Sequence, residues 1–174
     1  INDSDFREMR AITKGTGFGR EVLHTSWLMH EYKTLQTLHA AGAAVPKAWA
    51  IGDNVILMDY IGDAKLAAPT LNTVRLEPDE AARLFEEVLH NVRIMLQHGM
   101  IHGDLSAYNI LYNAGAIVFI DFPQVTGIAS NPNAHYILRR DVTRVCEYFA
   151  QQGVERDPVS LAEELWFEYG YGDL

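Results

Sequence analysis

Three side chains between positions 104 and 121 have the types and spacing of a phosphoryl-transfer site. Asp104 and Asn109 fall in His102-Gly103-Asp104-Leu105-Ser106-Ala107-Tyr108-Asn109, and Asp121 follows in Ile120-Asp121-Phe122-Pro123-Gln124. Mg²⁺ prefers hard oxygen donors and shares its shell with phosphates and water. Asn109 and Asp121 offer two such oxygens. Asp104, close by but outside that pair, is placed to accept a proton or orient a nucleophile. A metal clamp on the phosphates and a positioned base are the parts that phosphoryl transfer needs.

These groups meet only if the chain between them folds back. Two short apolar runs, Ile110 to Tyr112 and Ile117 to Ile120, flank Asn113-Ala114-Gly115-Ala116, which reads as a β-hairpin turn. Such a hairpin brings Asn109 and Asp121, at its two open ends, near each other. Ahead of the loop, Pro78 suits the first position of a helix, with Asp79 and Glu80 where the helix dipole favours them. From there Ala81, Leu84, Phe85, Val88, Leu89, Val92, Met95 and Leu96 form one apolar face down to Gly99. A helix from Asn133 to Gln152 carries Ile137, Val142, Val145, Cys146 and Phe149 inward, and a last helix runs from about Val159 to Tyr169.

Nearer the start, helical spacing runs from Glu21 to about Ala41, and Gly42 supplies a stop. Val45-Pro46 opens an extended stretch, Asn54 to Tyr60 reads as a buried strand, and Gly62 to Arg75 is a connector. Asp5 to Arg20, with Gly15, Gly17 and Gly19, reads as a mobile loop. The expected fold class is α+β and mostly helical, with one hairpin set among the helices.

Composition bounds the rest. A chain of 174 residues is one modest domain, or one lobe with a piece of another. A net charge of −9 argues against a nucleic-acid surface spread over the whole molecule. Cys146 stands alone, so no internal disulfide forms and no oxidising compartment is required. No apolar run approaches the ~20 residues of a membrane span, and no signal-peptide pattern opens the chain. The expectation is a cytoplasmic protein without a membrane partner. Because it begins with Ile, it reads as part of a longer one.

The spacing of Asp104, Asn109 and Asp121 resembles the catalytic loop and metal-binding Asp of the protein-kinase fold. Its spelling, His102-Gly-Asp-Leu-Ser-x-Tyr-Asn with Ile120-Asp-Phe-Pro-Gln, is similar to the RIO family of atypical Ser/Thr kinases. The likeness extends from about Asp5 to Phe149, through Trp27–Leu38, Val55–Gly62, Ala68-Pro69-x-Leu71 and Arg140-Asp141-Val142. It implies a protein-kinase-like fold, with residues 1–60 as a partial first lobe and 61–174 as a helical second lobe. It also implies ATP as substrate with Mg²⁺ or Mn²⁺. Asp104 becomes the catalytic Asp, and Asn109 and Asp121 bind the metal. Asp121 is also the candidate for an acyl-phosphate intermediate in an ATPase cycle. On the nucleotide side fall Glu31, which pairs with an ATP-contacting Lys, the backbone around Asp59 and Ile61, which holds adenine, and Ser106. Asp141 anchors the catalytic loop by hydrogen bonds.

Several departures from ordinary protein kinases carry consequences. Gly103 stands where an Arg commonly reads a phosphorylated activation loop, so that control is expected to be absent. Ser106 stands where a Lys commonly contacts the transferring phosphate. Pro123 stiffens the turn after Asp121-Phe122. About ten residues separate Gln124 from the next helix, too few for a peptide-binding activation segment. These features imply slow turnover, closer to an ATP-driven switch. A phosphate-covering loop and its strand Lys are not found; Gly15-Thr16-Gly17-Phe18-Gly19 leads into a helix instead. Glu31 is therefore expected to lack a partner in this chain.

Simpler readings apply elsewhere. His102 reads as a structural hydrogen-bonding residue, Cys146 as core, and Tyr60 as packing. The other histidines lack metal-ligand spacing. Two rival functions share the catalytic residues. One is a small-molecule phosphotransferase of the aminoglycoside- or choline-kinase type; Phe122-Pro123-Gln124 and the short interval after it weigh against it. The other is a pseudokinase-like binding module, against which stands the retention of Asp104, Asn109 and Asp121. By family analogy alone, the partner would be a protein or ribosome-assembly substrate.

Overall fold

The computed structural model describes residues 17–171, with side chains described from 26 to 170. Helix α1 spans Gly17–Ala40, a turn earlier than the glycine cluster suggests. A glycine costs about 1 kcal/mol inside a helix, which a helix already nucleated downstream absorbs. Residues 5–16 of the expected loop lie outside the described residues.

Strands β1 (Ala48–Ile51) and β2 (Ile56–Met58) pair antiparallel. The expectation of a buried strand is corrected here. Val55 and Leu57 are each 62% exposed, while Ile56 and Met58 pack against the core. An unbroken apolar run suggests burial on both faces, but this two-stranded ribbon buries only one.

Helix α2 (Pro78–Gln97) has Pro at its start and Asp79 and Glu80 in its first turn, as its sequence predicts. All eight residues of its predicted apolar face are buried. Each such aliphatic or aromatic side chain larger than alanine contributes roughly 1.5–3 kcal/mol relative to exposure. Buried Asn91 on α2 accepts from the Ala44 N–H at 2.6 Å, tying α2 to the segment that follows α1.

Strand β3 (Met100–Ile101) leads into the loop of interest. Strands β4 (Ile110–Asn113) and β5 (Ala116–Phe119) form the predicted hairpin. Its two-residue turn puts both Ala114 and Gly115 at positive φ, 52° and 85°, the geometry that matches strand twist. Strand β6 (Thr126–Gly127) pairs antiparallel with β3. That pairing was not anticipated, because two-residue strands carry no readable periodicity. It returns the chain after Asp121 to the start of the His102–Asn109 loop. Helices α3 (Ala134–Gln151) and α4 (Pro158–Tyr171) complete the chain. The fold is mixed helix and strand, α+β, with three short two-stranded sheets rather than one hairpin.

Candidate active site

The loop from His102 to Asn109 is held from several sides. Gly103, at φ 83°, is buried, and any Cβ there would collide with the backbone carbonyl of Gln124. Only glycine permits that approach. Its N–H donates to Asp141 Oδ2 at 2.8 Å, and the Arg140 guanidinium donates to its carbonyl. Asp141 is 1% exposed, and burial pushes its carboxyl up to about 6 against the opposing pull of the Gly103 N–H and Arg140. This is the loop anchor that the sequence implied.

His102 lies beneath the same loop, 2% exposed, with Nε2 3.2 Å from the Ile120 carbonyl. Burial pushes its imidazole down to about 4, so the ring is neutral near pH 7 and Nε2 carries the donated proton. Its ring packs against buried Phe122 with centroids 4.8 Å apart. His102 thus joins the loop to both residues that flank Asp121.

Asp104 projects from this platform, partly buried. Arg144 Nη1 on α3 donates to its Oδ1 at 2.7 Å. Asn109 Nδ2 donates to the Asp104 carbonyl at 2.9 Å and lies 3.4 Å from Oδ2. A carboxylate has about four acceptor positions, so these bonds leave room for a further donor. Ser106 accepts from the Tyr108 N–H at 3.4 Å and caps the 3₁₀ turn Ala107–Asn109 that sets Asn109. With its amide nitrogen on the loop, Asn109 has its Oδ1 left for a cation.

Asp121 stands at the other end of the hairpin. The Ile120 N–H donates to the Asn109 carbonyl at 3.0 Å, so the two ends are adjacent as predicted. Asp121 is exposed and adopts φ 66°, a left-handed conformation uncommon outside glycine and tolerated by Asp. Asn109 and Asp121 have the donor chemistry that suits Mg²⁺: one amide oxygen and one carboxylate, both hard, which would leave the remaining positions to phosphate and water.

Glu31 makes a backbone contact distinct from the Lys pairing that the resemblance implies. Its Oε1 accepts from the Phe122 N–H at 3.4 Å, while His30 Nε2 lies 3.2 Å from the Val125 carbonyl. Helix α1 is therefore tied to the residue next to Asp121. The Asp59 carboxylate accepts from Trp49 Nε1 at 2.7 Å and from the Lys47 N–H at 3.2 Å, and those bonds hold it below the usual carboxylate range. Among the described residues the Asp59–Ile61 strip bonds internally through the Asp59 N–H and the Ile61 carbonyl. Tyr60, expected as packing, is 65% exposed.

Arg144 was missed by sequence reasoning. The signal was available: it lies three residues after Asp141 on α3, and side chains so spaced share a helix face. Arg140, noted only within the Arg-Asp pair, carries a loop contact as well.

A family model described as the RIO domain matches residues 3–161, nearly the whole chain. The chain belongs to the RIO family. This RIO domain is 36% identical over 169 residues to the RIO-type serine/threonine-protein kinase Rio1 of Haloferax volcanii, covering 94% of the chain and 57% of that protein. It is 33% identical over 139 residues to Rio1 of Thermoplasma acidophilum, covering 80% and 72%. Against the human serine/threonine-protein kinase RIO1 the identity is 30% over 151 residues, covering 86% and 26%. The chain thus spans little more than half of the Haloferax relative and a quarter of the human one. RIO membership brings with it the protein-kinase-like fold class.

Proposed function

We propose that this chain is the catalytic part of a RIO-type serine/threonine kinase or ATPase that binds Mg²⁺–ATP and transfers or hydrolyses its γ-phosphate. The observation that carries the reading is the Asp104–Asn109 pair joined through one hairpin to Asp121. In this reading an acceptor oxygen attacks the γ-phosphorus, the bond to the β–γ bridging oxygen breaks, and ADP leaves. The acceptor proton passes to Asp104, whose unoccupied lone pairs face the cleft. Asn109 and Asp121 hold the metal, which neutralises charge on the phosphates when bound. Asp121, exposed at a strained turn, is also the candidate acyl-phosphate.

The Asp59 and Ile61 backbone takes the adenine, with Ser106 and Glu31 on the phosphate side. Glu31 acts here through Phe122, positioning the Asp121 turn, rather than through a Lys alone. Residues 1–60 form the partial first lobe and 61–174 the helical second. Among the described residues no helix is long and apolar enough to cross a membrane. A cytoplasmic site and a protein or ribosome-assembly substrate remain proposals by family analogy. RIO membership disfavours the aminoglycoside- or choline-kinase alternative.

Calorimetric titration of ATP into the chain, with and without Mg²⁺, tests the reading. Metal-dependent binding that disappears in Asp121→Asn supports it. Binding indifferent to both metal and Asp121 contradicts it.

A further inference from the structure

An open cleft of about 580 Å³ starts at Asp104 and Asn109 and runs along α3, without Asp121 in its lining. Ser106 and Tyr108 of the loop form one side; Arg144, Glu147 and Gln151 of α3 form the other. Those three helix positions are spaced by three and four, so they make one polar stripe. Enclosed small-molecule sites are mostly apolar. This one is open and lined by carboxylate, guanidinium, hydroxyl and amide groups, which suits an extended polar segment.

Charge in the cleft is specific. Three lining side chains are charged: Asp104, Arg144 and Glu147. Arg144 and Asp104 neutralise each other at 2.7 Å. Glu147 is exposed and forms no ion pair among the described residues. The lining therefore carries one uncompensated negative charge, within a chain of net charge −9.

We propose that this cleft is the acceptor site, and that Glu147 selects a Ser- or Thr-bearing peptide segment with a Lys or Arg close to the acceptor residue. The inference rests on the kinase reading above. In it, Arg144 is a positioning residue that fixes one Asp104 oxygen and leaves the other toward the acceptor hydroxyl. Glu147, one helical turn further along, meets the cationic side chain.

The test uses the full chain, Mg²⁺–ATP, and two synthetic peptides with the same Ser, one flanked by Arg and the other by Ala. The expected kcat/KM ratio favours the Arg peptide about two- to fivefold, the size of one exposed ion pair. Glu147→Gln brings that ratio to about one, and Glu147→Lys shifts preference to an Asp-flanked peptide. Glu86→Gln removes the same charge from α2, outside the cleft lining, and keeps the wild-type ratio. A wild-type ratio in Glu147→Gln overturns the proposal.

Anisotropy of a fluorescent Arg-flanked peptide gives a readout without turnover. Binding weakened about fivefold by Glu147→Lys supports the site even if no phosphate moves, in which case the kinase reading alone fails. Equal binding by Glu147→Lys and wild type overturns the site, whatever the turnover.

Discussion

The two sides of the proposed nucleotide site are built very differently. The His102–Asn109 loop rests on α3 through Gly103–Asp141, Arg140 and Arg144, and on the hairpin through His102 and Phe122; Gly103, Asp141, His102 and Phe122 are buried and the two arginines partly so. The β1–β2 ribbon and the Asp59–Ile61 strip rest on one face only. Trp49, Val55, Leu57 and Tyr60 are each more than half exposed. The chemistry-bearing half is over-determined, whereas the adenine-side strip is held by a two-stranded pairing and the Asp59 bonds to Trp49 and Lys47. In local stability the first belongs to the global core and the second to the segments that open first.

The largest contrast is in packing. Phe122→Ala should cost about 3–5 kcal/mol by urea denaturation, because a fully buried ring leaves a cavity beneath Asp121. Leu57→Ala, on the open face of β2, should stay within about 0.5 kcal/mol. Comparable losses at both positions would erase the distinction.

Asp104→Asn should lower phosphate transfer by about 10²–10⁴, the usual contribution of a positioned base, with the fold intact by circular dichroism. Arg144→Ala should cost less, on the order of tenfold, and Arg144→Lys should restore part of it. An Arg144 loss equal to that of Asp104 would mean that Arg144 holds the loop rather than one carboxylate oxygen.

A smaller effect separates the two buried titrating groups. His102 stays neutral when folded down to about 4, whereas its unfolded value is 6.5, so its contribution to stability is lost as pH falls through that window. Asp141 works in the opposite sense: its folded value of about 6 exceeds 3.8, so its contribution is lost as pH rises from one to the other. The two slopes oppose over nearly the same range. Relative to wild type, Asp141→Asn should gain stability on going from pH 4 to 6.5, by on the order of 1–2 kcal/mol. His102→Gln should lose stability over the same interval. Denaturation at stepped pH reads both, and slopes of the same sign in the two variants would contradict the assignments.

The smallest effect is at the ribbon. Trp49→Phe removes the indole N–H from Asp59 and should destabilise by no more than about 1 kcal/mol.

The contrast between the two sides also explains what was legible in the sequence. The α2 face and the hairpin that sets Asn109 beside Asp121 are local patterns, and both are present in the fold. What escaped were contacts between distant segments: β3 with β6, Glu31 with Phe122, and Arg144 with Asp104. None has a period or a turn signature, since each depends on where α1 and α3 come to rest. The ribbon misled for a different reason. Val55 and Leu57 are as apolar as core residues, yet among the described residues no layer covers them.

The central claim is that Asp104, Asn109 and Asp121 form one phosphoryl-transfer site. Its most direct test is single-turnover release or transfer of labelled γ-phosphate from Mg²⁺–ATP by wild type, Asp104→Asn and Asp121→Asn. The account predicts measurable turnover in wild type, a fall of at least about a hundredfold in Asp104→Asn, and loss of metal-dependent nucleotide binding in Asp121→Asn. Turnover at the wild-type rate in both variants would contradict it.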